Sequence, residues 1–198
     1  DLVAVLGLAG ANVSGVAREL AAALPFARAE IVSDAITAAR GALGRQDGIV
    51  AAMGTGSVFA VSRDGTLRQY GGRGFVLGDE GSGAVLGRSL LAEALRADDG
   101  FAPMTPLLQA VLDEFGGAEG VIAFATRARP VDFAALAPRV VAQDDPAARR
   151  LFDLAAEEVG RIIAVLQQGG SLPVFFLGGL APHYAARLSA RWDTRTAL

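Results

Sequence analysis

Two adjacent carboxylates, Asp79 and Glu80, stand in a glycine-rich stretch between Gly71 and Gly83. Glycine lets a ligand approach the backbone closely, and a carboxylate accepts hydrogen bonds that are stronger than those between neutral groups. A polyol is therefore the ligand class that this stretch suits. The alternative role is structural, with Asp79 capping a helix that begins near Gly81.

A third carboxylate, Asp34, lies between a predicted strand at residues 30–33 and a predicted helix at residues 34–43. An aspartate in this position is commonly the N-cap of the helix. The same placement directs a carboxylate into the crevice at the carboxyl ends of strands, where α/β proteins bind ligands. The residues alone leave both roles open.

Two glycine motifs each come directly after a predicted strand. The first, Gly-Thr-Gly-Ser at residues 54–57, joins two strands, and its backbone amides and hydroxyls suit a phosphate. An ordinary hairpin turn is the other interpretation. The second, Gly178-Gly179, is either a packing turn or a place where a nucleotide lies against the backbone.

The elements that must position these motifs alternate between strands and helices and then change to a strand meander near Gly48. Apolar periodicity indicates long helices after the glycine-rich stretch and at residues 146–168. A second domain is therefore expected to start near Gly48. Apolar runs and turn signals predict strands at residues 2–8, 30–33, 49–53, 57–62, 67–70 and 174–177.

Composition narrows the class of protein. The 198 residues carry a net charge of −3, which argues against nucleic acid as the partner. The sequence has no cysteine, which excludes disulfides and cysteine-bound clusters, and its only histidine, His183, is expected on a helix surface or at a cap rather than at a metal. No apolar run reaches the roughly 18 residues of a membrane helix. We expect a globular cytoplasmic protein without a membrane partner.

In order and spacing, these motifs resemble the N-acetylglucosamine kinase and glucosamine kinase group of the BadF/BadG/BcrA/BcrD ATPase family. The resemblance spans residues 6–188 and implies an α/β, ribonuclease H-like fold of the actin and hexokinase type, with mixed sheets flanked by helices in two lobes. Residues 1–47 would be the C-terminal part of the first lobe and residues 48–198 the second lobe. The family begins with an Asp-Gly-Gly-Gly-Thr hairpin that this sequence lacks, so we expect an incomplete first lobe and inefficient turnover of ATP by this chain alone.

The resemblance also implies roles for individual residues. Asp34 matches the aspartate that binds the sugar and accepts the proton of the attacking hydroxyl. Arg73 stands where the family usually has tryptophan, and it would stack on a sugar ring, bond a hydroxyl or recruit an acidic substrate. The residues matched to the nucleotide are Gly54, Thr55, Gly56, Ser57, Gly178 and Gly179, and those matched to the sugar are Asp34, Gly72, Arg73, Gly74, Asp79 and Glu80.

The implied reaction is transfer of phosphate from ATP, with Mg²⁺, to the 6-hydroxyl of glucosamine or N-acetylglucosamine. One alternative is a sugar-sensing pseudokinase, favoured by Arg73 and by the unmatched phosphate hairpin. Another is the branch of the family that activates radical dehydratases and reductases, whose iron–sulfur cluster needs cysteines. Whether the chain forms a homodimer is left open by the sequence.

Overall fold

The computed structural model describes residues 2–8 and 14–197 as an α/β protein with two sheets. The strands are β1 (Val3–Leu8), β2 (Arg28–Ser33), β3 (Gly48–Met53), β4 (Ser57–Arg63), β5 (Thr66–Gly71), β6 (Val174–Leu177) and β7 (Thr194–Thr196). The helices are α1 (Ser14–Ala23), α2 (Asp34–Leu43), α3 (Gly83–Asp98), α4 (Pro106–Phe115), α5 (Ala118–Ala125), α6 (Pro130–Ala134), α7 (Ala137–Val141), α8 (Pro146–Gln167) and α9 (Ala181–Leu188).

Strand order explains why the motifs meet. In the larger sheet the order is β5-β4-β3-β6-β7, with β3 antiparallel to β4, β4 antiparallel to β5, and β6 parallel to both β3 and β7. Asp64 and Gly65 close the hairpin between β4 and β5 with left-handed φ angles of 50° and 77°. The carboxyl ends of β3, β5 and β6 and the amino end of β4 therefore share one edge, called here the motif edge.

Helices cover both faces of this sheet because its buried side chains alternate between the faces. On one face, Ile49, Met53 and Phe176 join a core with residues of α3, α8 and α9. On the other face, Val50 and Ala60 pack with the buried side of α2, as does Phe175. The result is a three-layer arrangement that holds the motif edge between helices.

The helix α2 connects the two sheets. It packs against the parallel pair β1–β2 as well as against β3, β4 and β5. At Gly7 in β1, a Cβ would lie 2.2 Å from the Thr37 hydroxyl of α2, so only glycine permits this approach. The predicted boundary at residues 47 and 48 coincides with the start of β3, and the division into two lobes stays a prediction.

The strand positions read from the sequence are confirmed within about two residues, and α2 has the predicted bounds. The structure adds the short edge strand β7 and divides the region between α3 and α8 into four short helices. None of the helices within residues 2–8 and 14–197 is both long enough and apolar enough to cross a membrane.

Candidate active site

The Gly-Thr-Gly-Ser turn and the Gly178-Gly179 motif lie in direct contact at the motif edge. Gly178 has a φ of +88°, and a Cβ there would lie 2.7 Å from the carbonyl oxygen of Met53. Leu180 N donates to the same oxygen at 3.1 Å. The structure therefore gives Gly178 a packing role, and its assignment to the nucleotide stays a prediction. Both glycines are exposed, but Gly179 differs in that no atom lies within 4 Å of where its Cβ would be.

This contrast gives a stability prediction with an adjacent control. Gly178→Ala is expected to lower the free energy of unfolding by about 2–4 kcal/mol, because left-handed backbone costs about 1–2 kcal/mol for a residue with a Cβ and overpacking adds about 1–3 kcal/mol. Gly179→Ala is expected to change it by less than about 0.5 kcal/mol. Urea denaturation of both variants measures the difference, and equal losses would contradict the close contact at Gly178.

The N-terminus of α3 holds the turn in place. Ser82 caps the helix by accepting from Val85 N at 3.2 Å. Gly83 N donates to the carbonyl of Gly54 at 2.8 Å, and Ala84 N donates to that of Thr55 at 3.1 Å. Both amides donate to carbonyl groups of the turn, so the N-terminus of α3 makes the turn more rigid.

The two hydroxyls of the turn have different environments. The Thr55 side chain is exposed at the motif edge. Ser57 is buried, and its hydroxyl donates to the carbonyl oxygen of Glu80 at 2.8 Å. Of the two donors expected from the sequence, Thr55 is therefore free to meet a phosphate, whereas Ser57 holds the acidic pair in position.

Asp79 is the most unusual residue at this edge. It is 8% exposed, and its φ of +61° lies in the left-handed region that an aspartate rarely adopts. One of its carboxylate oxygens lies 2.9 Å from where a Cβ on Gly56 would be, so a side chain at position 56 would displace the Asp79 carboxylate. Within the described chain, no donor makes a hydrogen bond to this carboxylate.

The residue is largely covered, but its carboxylate oxygens are not among the buried atoms without a partner, so they stay accessible to a ligand or to water. Strained backbone of this kind concentrates at functional sites. The capping role considered for Asp79 is wrong, because Ser82 caps α3, which begins at Gly83 rather than near Gly81. The structure thus leaves Asp79 as an acceptor directed at the phosphate-type turn.

The glycine-rich stretch before Asp79 is a loop built on left-handed residues. Gly71, Gly72 and Gly74 have φ angles of 65°, 64° and 82°. The carbonyl of Gly74 accepts from Gly78 N at 2.8 Å, which closes the loop. Arg73 is exposed, and its guanidinium makes no ion pair with any described residue.

The loop is anchored on both sides of Asp79. Before it, Phe75 packs 5.2 Å from Phe133 between ring centroids. After it, the buried Tyr184 hydroxyl donates to the carbonyl of Gly81 at 2.6 Å. Burial raises the pKa of the Tyr184 phenol, which keeps it protonated as a donor. Glu80, between these anchors, is half-buried.

Asp34 is the first residue of α2, at the carboxyl end of β2. Ser33 is the N-cap, accepting from Ile36 N at 3.3 Å, so the capping role considered for Asp34 is wrong. The exposed Asp34 carboxylate accepts from Ala35 N at 2.8 Å and lies at the positive end of the helix dipole. The structure therefore leaves this carboxylate accessible.

A cleft of about 480 Å³ opens beside the turn, within the size range of small-molecule sites. Its wall includes His183, which is half-buried with its ring 6.3 Å from that of Phe152. The sequence did not predict this placement, because a lone histidine on an amphipathic helix carries no functional signal. The lining residues are Gly54, Thr55, Gly83, Ala134, Ala137, Pro138, Val141, Ala142, Gly179, Leu180 and His183.

The structure therefore brings most of the predicted site to one edge: the turn, the Gly-Gly motif and the loop with Asp79. Asp34 is linked to the same edge through a hydrogen bond from Ser33 to Gln69 in β5. Across residues 2–8 and 14–197, no group of three or more acidic, histidine or cysteine side chains is placed to hold a metal ion. A divalent cation bound at this edge would therefore also need oxygen atoms of a bound small molecule to complete its coordination.

Comparison with known proteins gives consistent matches. The family model described as the BadF/BadG/BcrA/BcrD ATPase family matches residues 1–190. Glucosamine kinase GspK of Vibrio cholerae is 31% identical over 161 residues, which are 79% of this chain and 55% of that protein. The chain thus spans little more than half the length of this curated relative.

Two solved structures share the fold. One, provisionally assigned as an N-acetylglucosamine kinase from Chromobacterium violaceum, is 37% identical with a TM-score of 0.84, covering 96% of this chain and 70% of that one. The other is a ROK family glucokinase from Streptomyces griseus in complex with glucose and AMPPNP, 19% identical with a TM-score of 0.52, covering 86% and 63%. The predicted α/β fold of the actin and hexokinase type is confirmed.

Proposed function

This chain belongs to the BadF/BadG/BcrA/BcrD ATPase family, and on that basis we propose that it is part of an amino-sugar kinase. The reaction is transfer of the γ-phosphoryl group of ATP to the 6-hydroxyl of glucosamine or N-acetylglucosamine. The relatives with kinase names support the class of reaction. The acceptor position and the choice between the two sugars are part of the proposal.

The observation that carries the proposal is the Asp79 carboxylate, which accepts no hydrogen bond from the described residues and lies against Gly56 of the Gly-Thr-Gly-Ser turn, in a residue that is only 8% exposed. A carboxylate in this state gains most from a ligand that brings hydroxyl donors. It lies where a loop open to a sugar meets a turn open to a phosphate. Phosphoryl transfer needs donor and acceptor to be held side by side, and this edge offers both surfaces.

The cleft of about 480 Å³ is the place where we expect the nucleotide. Its far wall is formed by small apolar residues of α6 and α7, which suit the flat face of a base. Its near wall is formed by Gly54, Thr55 and Gly179, where exposed backbone and the Thr55 hydroxyl suit phosphates. The nucleotide supplies the phosphoryl group, and the chain supplies shape and donors.

Asp34 is the proposed general base. It is an exposed carboxylate at a strand end, and it needs only to accept the proton of the attacking hydroxyl. It accepts a hydrogen bond from Ala35 N, and a carboxylate has further lone pairs with which to accept the proton. Since Ser33 caps α2, Asp34 is not needed as the cap.

Mg²⁺ is commonly held through one or two carboxylates together with the phosphates of a nucleotide. The unpaired Asp79 carboxylate against Gly56 fits that limited requirement. A cation there would neutralise phosphate charge as the group is transferred. Asp79 therefore has two candidate partners, sugar hydroxyls and Mg²⁺, which kinetics can separate.

The test is ADP release by the full-length protein with Mg²⁺ and ATP. Glucosamine, N-acetylglucosamine, glucose and a carboxylate-bearing amino sugar are compared at equal concentration, the last because Arg73 is exposed and unpaired within the described chain. Turnover that depends on one amino sugar is the expected result. A folded protein without sugar-dependent ADP release would contradict the proposal and favour the sugar-sensing pseudokinase. A cytoplasmic location and a homodimer stay predictions.

A further inference from the structure

One hydrogen bond crosses between the two sheets at the motif edge. The Ser33 hydroxyl, at the end of β2, donates to the Gln69 side-chain oxygen in β5 at 2.5 Å. The same hydroxyl accepts from Ile36 N as the cap of α2. Ser33 is buried, so its hydroxyl makes both of these hydrogen bonds, one as donor and one as acceptor, inside the protein. Gln69 thus holds the cap that precedes Asp34.

Gln69 also lies next to the loop that carries Gly72, Arg73 and Gly74, called here the sugar loop. Its side-chain nitrogen lies 3.3 Å from where a Cβ on Gly72 would be, and Gly72 is held at a φ of +64°. One side chain therefore bonds the start of α2 and lies against the Gly72 backbone of the loop matched to the sugar. In the part of the chain that the structure describes, its side-chain nitrogen has no hydrogen-bond acceptor, so Gln69 meets the loop by packing against Gly72.

Packing alone does not explain a glutamine here. Gln69 lies opposite Ala60 in the β4–β5 pair, on the sheet face that packs against α2. Leu67, two residues earlier on the same face, packs into that apolar cluster. An apolar residue would serve the sheet equally well at position 69. The polar side chain of Gln69 instead accepts a hydrogen bond from Ser33, the N-cap of α2.

From these contacts we propose that Gln69 is a positioning residue that couples the start of α2 to the sugar loop and so sets Asp34 against the substrate. The catalytic consequence rests on the proposed function, because it requires Asp34 to be the base. The coupling between Gln69 and the start of α2 does not rest on the proposed function. Ser33 and Gln69 act as a pair, and loss of either one releases the first turn of α2.

The experiment compares Gln69→Leu with Leu67→Met in the full-length protein. Leu67 lies on the same strand and face without a polar contact to α2, so it reports on packing alone. Hydrogen exchange at the Ala35 and Ile36 amides is expected to rise about five- to tenfold in Gln69→Leu, the equivalent of one lost hydrogen bond. It is expected to stay unchanged in Leu67→Met.

Turnover provides the second readout. In Gln69→Leu, kcat is expected to fall about tenfold while the KM for ATP is unchanged. In a Ser33→Ala background, Gln69→Leu should add no further loss of kcat, because the pair is already broken. Unchanged amide exchange in Gln69→Leu overturns the proposal, whatever the wild-type turnover. A wild type without sugar-dependent ADP release overturns the proposed function instead, and the exchange result still decides the coupling.

Discussion

Replacing Asp34 with asparagine is expected to lower kcat about 10²- to 10⁴-fold, the usual contribution of a general base. Asparagine keeps the size of the side chain and the oxygen that accepts from Ala35 N, but it cannot take a proton. Since Ser33 caps α2, the fold should tolerate the change. The affinity for the sugar should fall far less than kcat. Steady-state kinetics of the full-length protein measure both.

A matched control is available at the end of the larger sheet opposite the motif edge. Asp64 is an exposed aspartate in the β4–β5 hairpin, with a φ of 50° that asparagine also adopts. Asp64→Asn removes one negative charge far from the motif edge, so kcat should not change. An unaltered kcat in Asp34→Asn would end the assignment of Asp34 as the base.

The second large effect is expected at Asp79. Asp79→Asn should raise the sugar KM about 10- to 100-fold, because a charged acceptor of sugar hydroxyls is replaced by a neutral one. The same change should alter the free energy of unfolding by less than about 0.5 kcal/mol, because the carboxylate accepts no hydrogen bond from the described residues and its oxygens are not buried. Asparagine is chosen over alanine because it tolerates the left-handed φ of +61°.

The two measurements together separate the roles open to Asp79. A higher sugar KM with an unchanged free energy of unfolding supports a ligand site. If the Mg²⁺ concentration for half-maximal rate rises and the sugar KM does not, the carboxylate meets the cation instead. A destabilised variant with unchanged kinetics would make Asp79 a structural residue.

Much of the fold could be predicted from the sequence, because its elements are bounded by strong local signals. The bounds of α2 followed from the aspartate after the predicted strand and from the glycine after Leu43, and the structure confirms them. The Asp64-Gly65 pair identified the β4–β5 hairpin. Glycines after β3, β5 and β6 marked strand ends, and the strand order then placed these ends at one edge.

The details that decide function at that edge depend on tertiary contacts that local patterns do not carry. Ser33 and Asp34 are both able to cap a helix, and only the structure shows that Ser33 does so. Ser57 looked like a phosphate ligand, yet its hydroxyl is used by the carbonyl of Glu80. Gln69 had no motif around it, and its importance comes from a strand of the other sheet.

The cleft beside the Gly-Thr-Gly-Ser turn was missed for a related reason. Its wall comes from α6 and α7, short helices without a strong apolar period, and from His183 on α9. These elements are distant in sequence and meet because α3 packs closely on α6. At Gly87 in α3, a Cβ would lie 1.9 Å from the carbonyl oxygen of Phe133, so this contact depends on glycine.

The most direct test of the central claim is to identify the product by phosphorus and proton NMR. The full-length protein is incubated with ATP, Mg²⁺ and the amino sugar that gives the highest turnover. We expect a phosphomonoester whose phosphorus couples to the two protons on carbon 6 of the sugar. Release of inorganic phosphate without a sugar phosphate, or a phosphate on another hydroxyl, would contradict it.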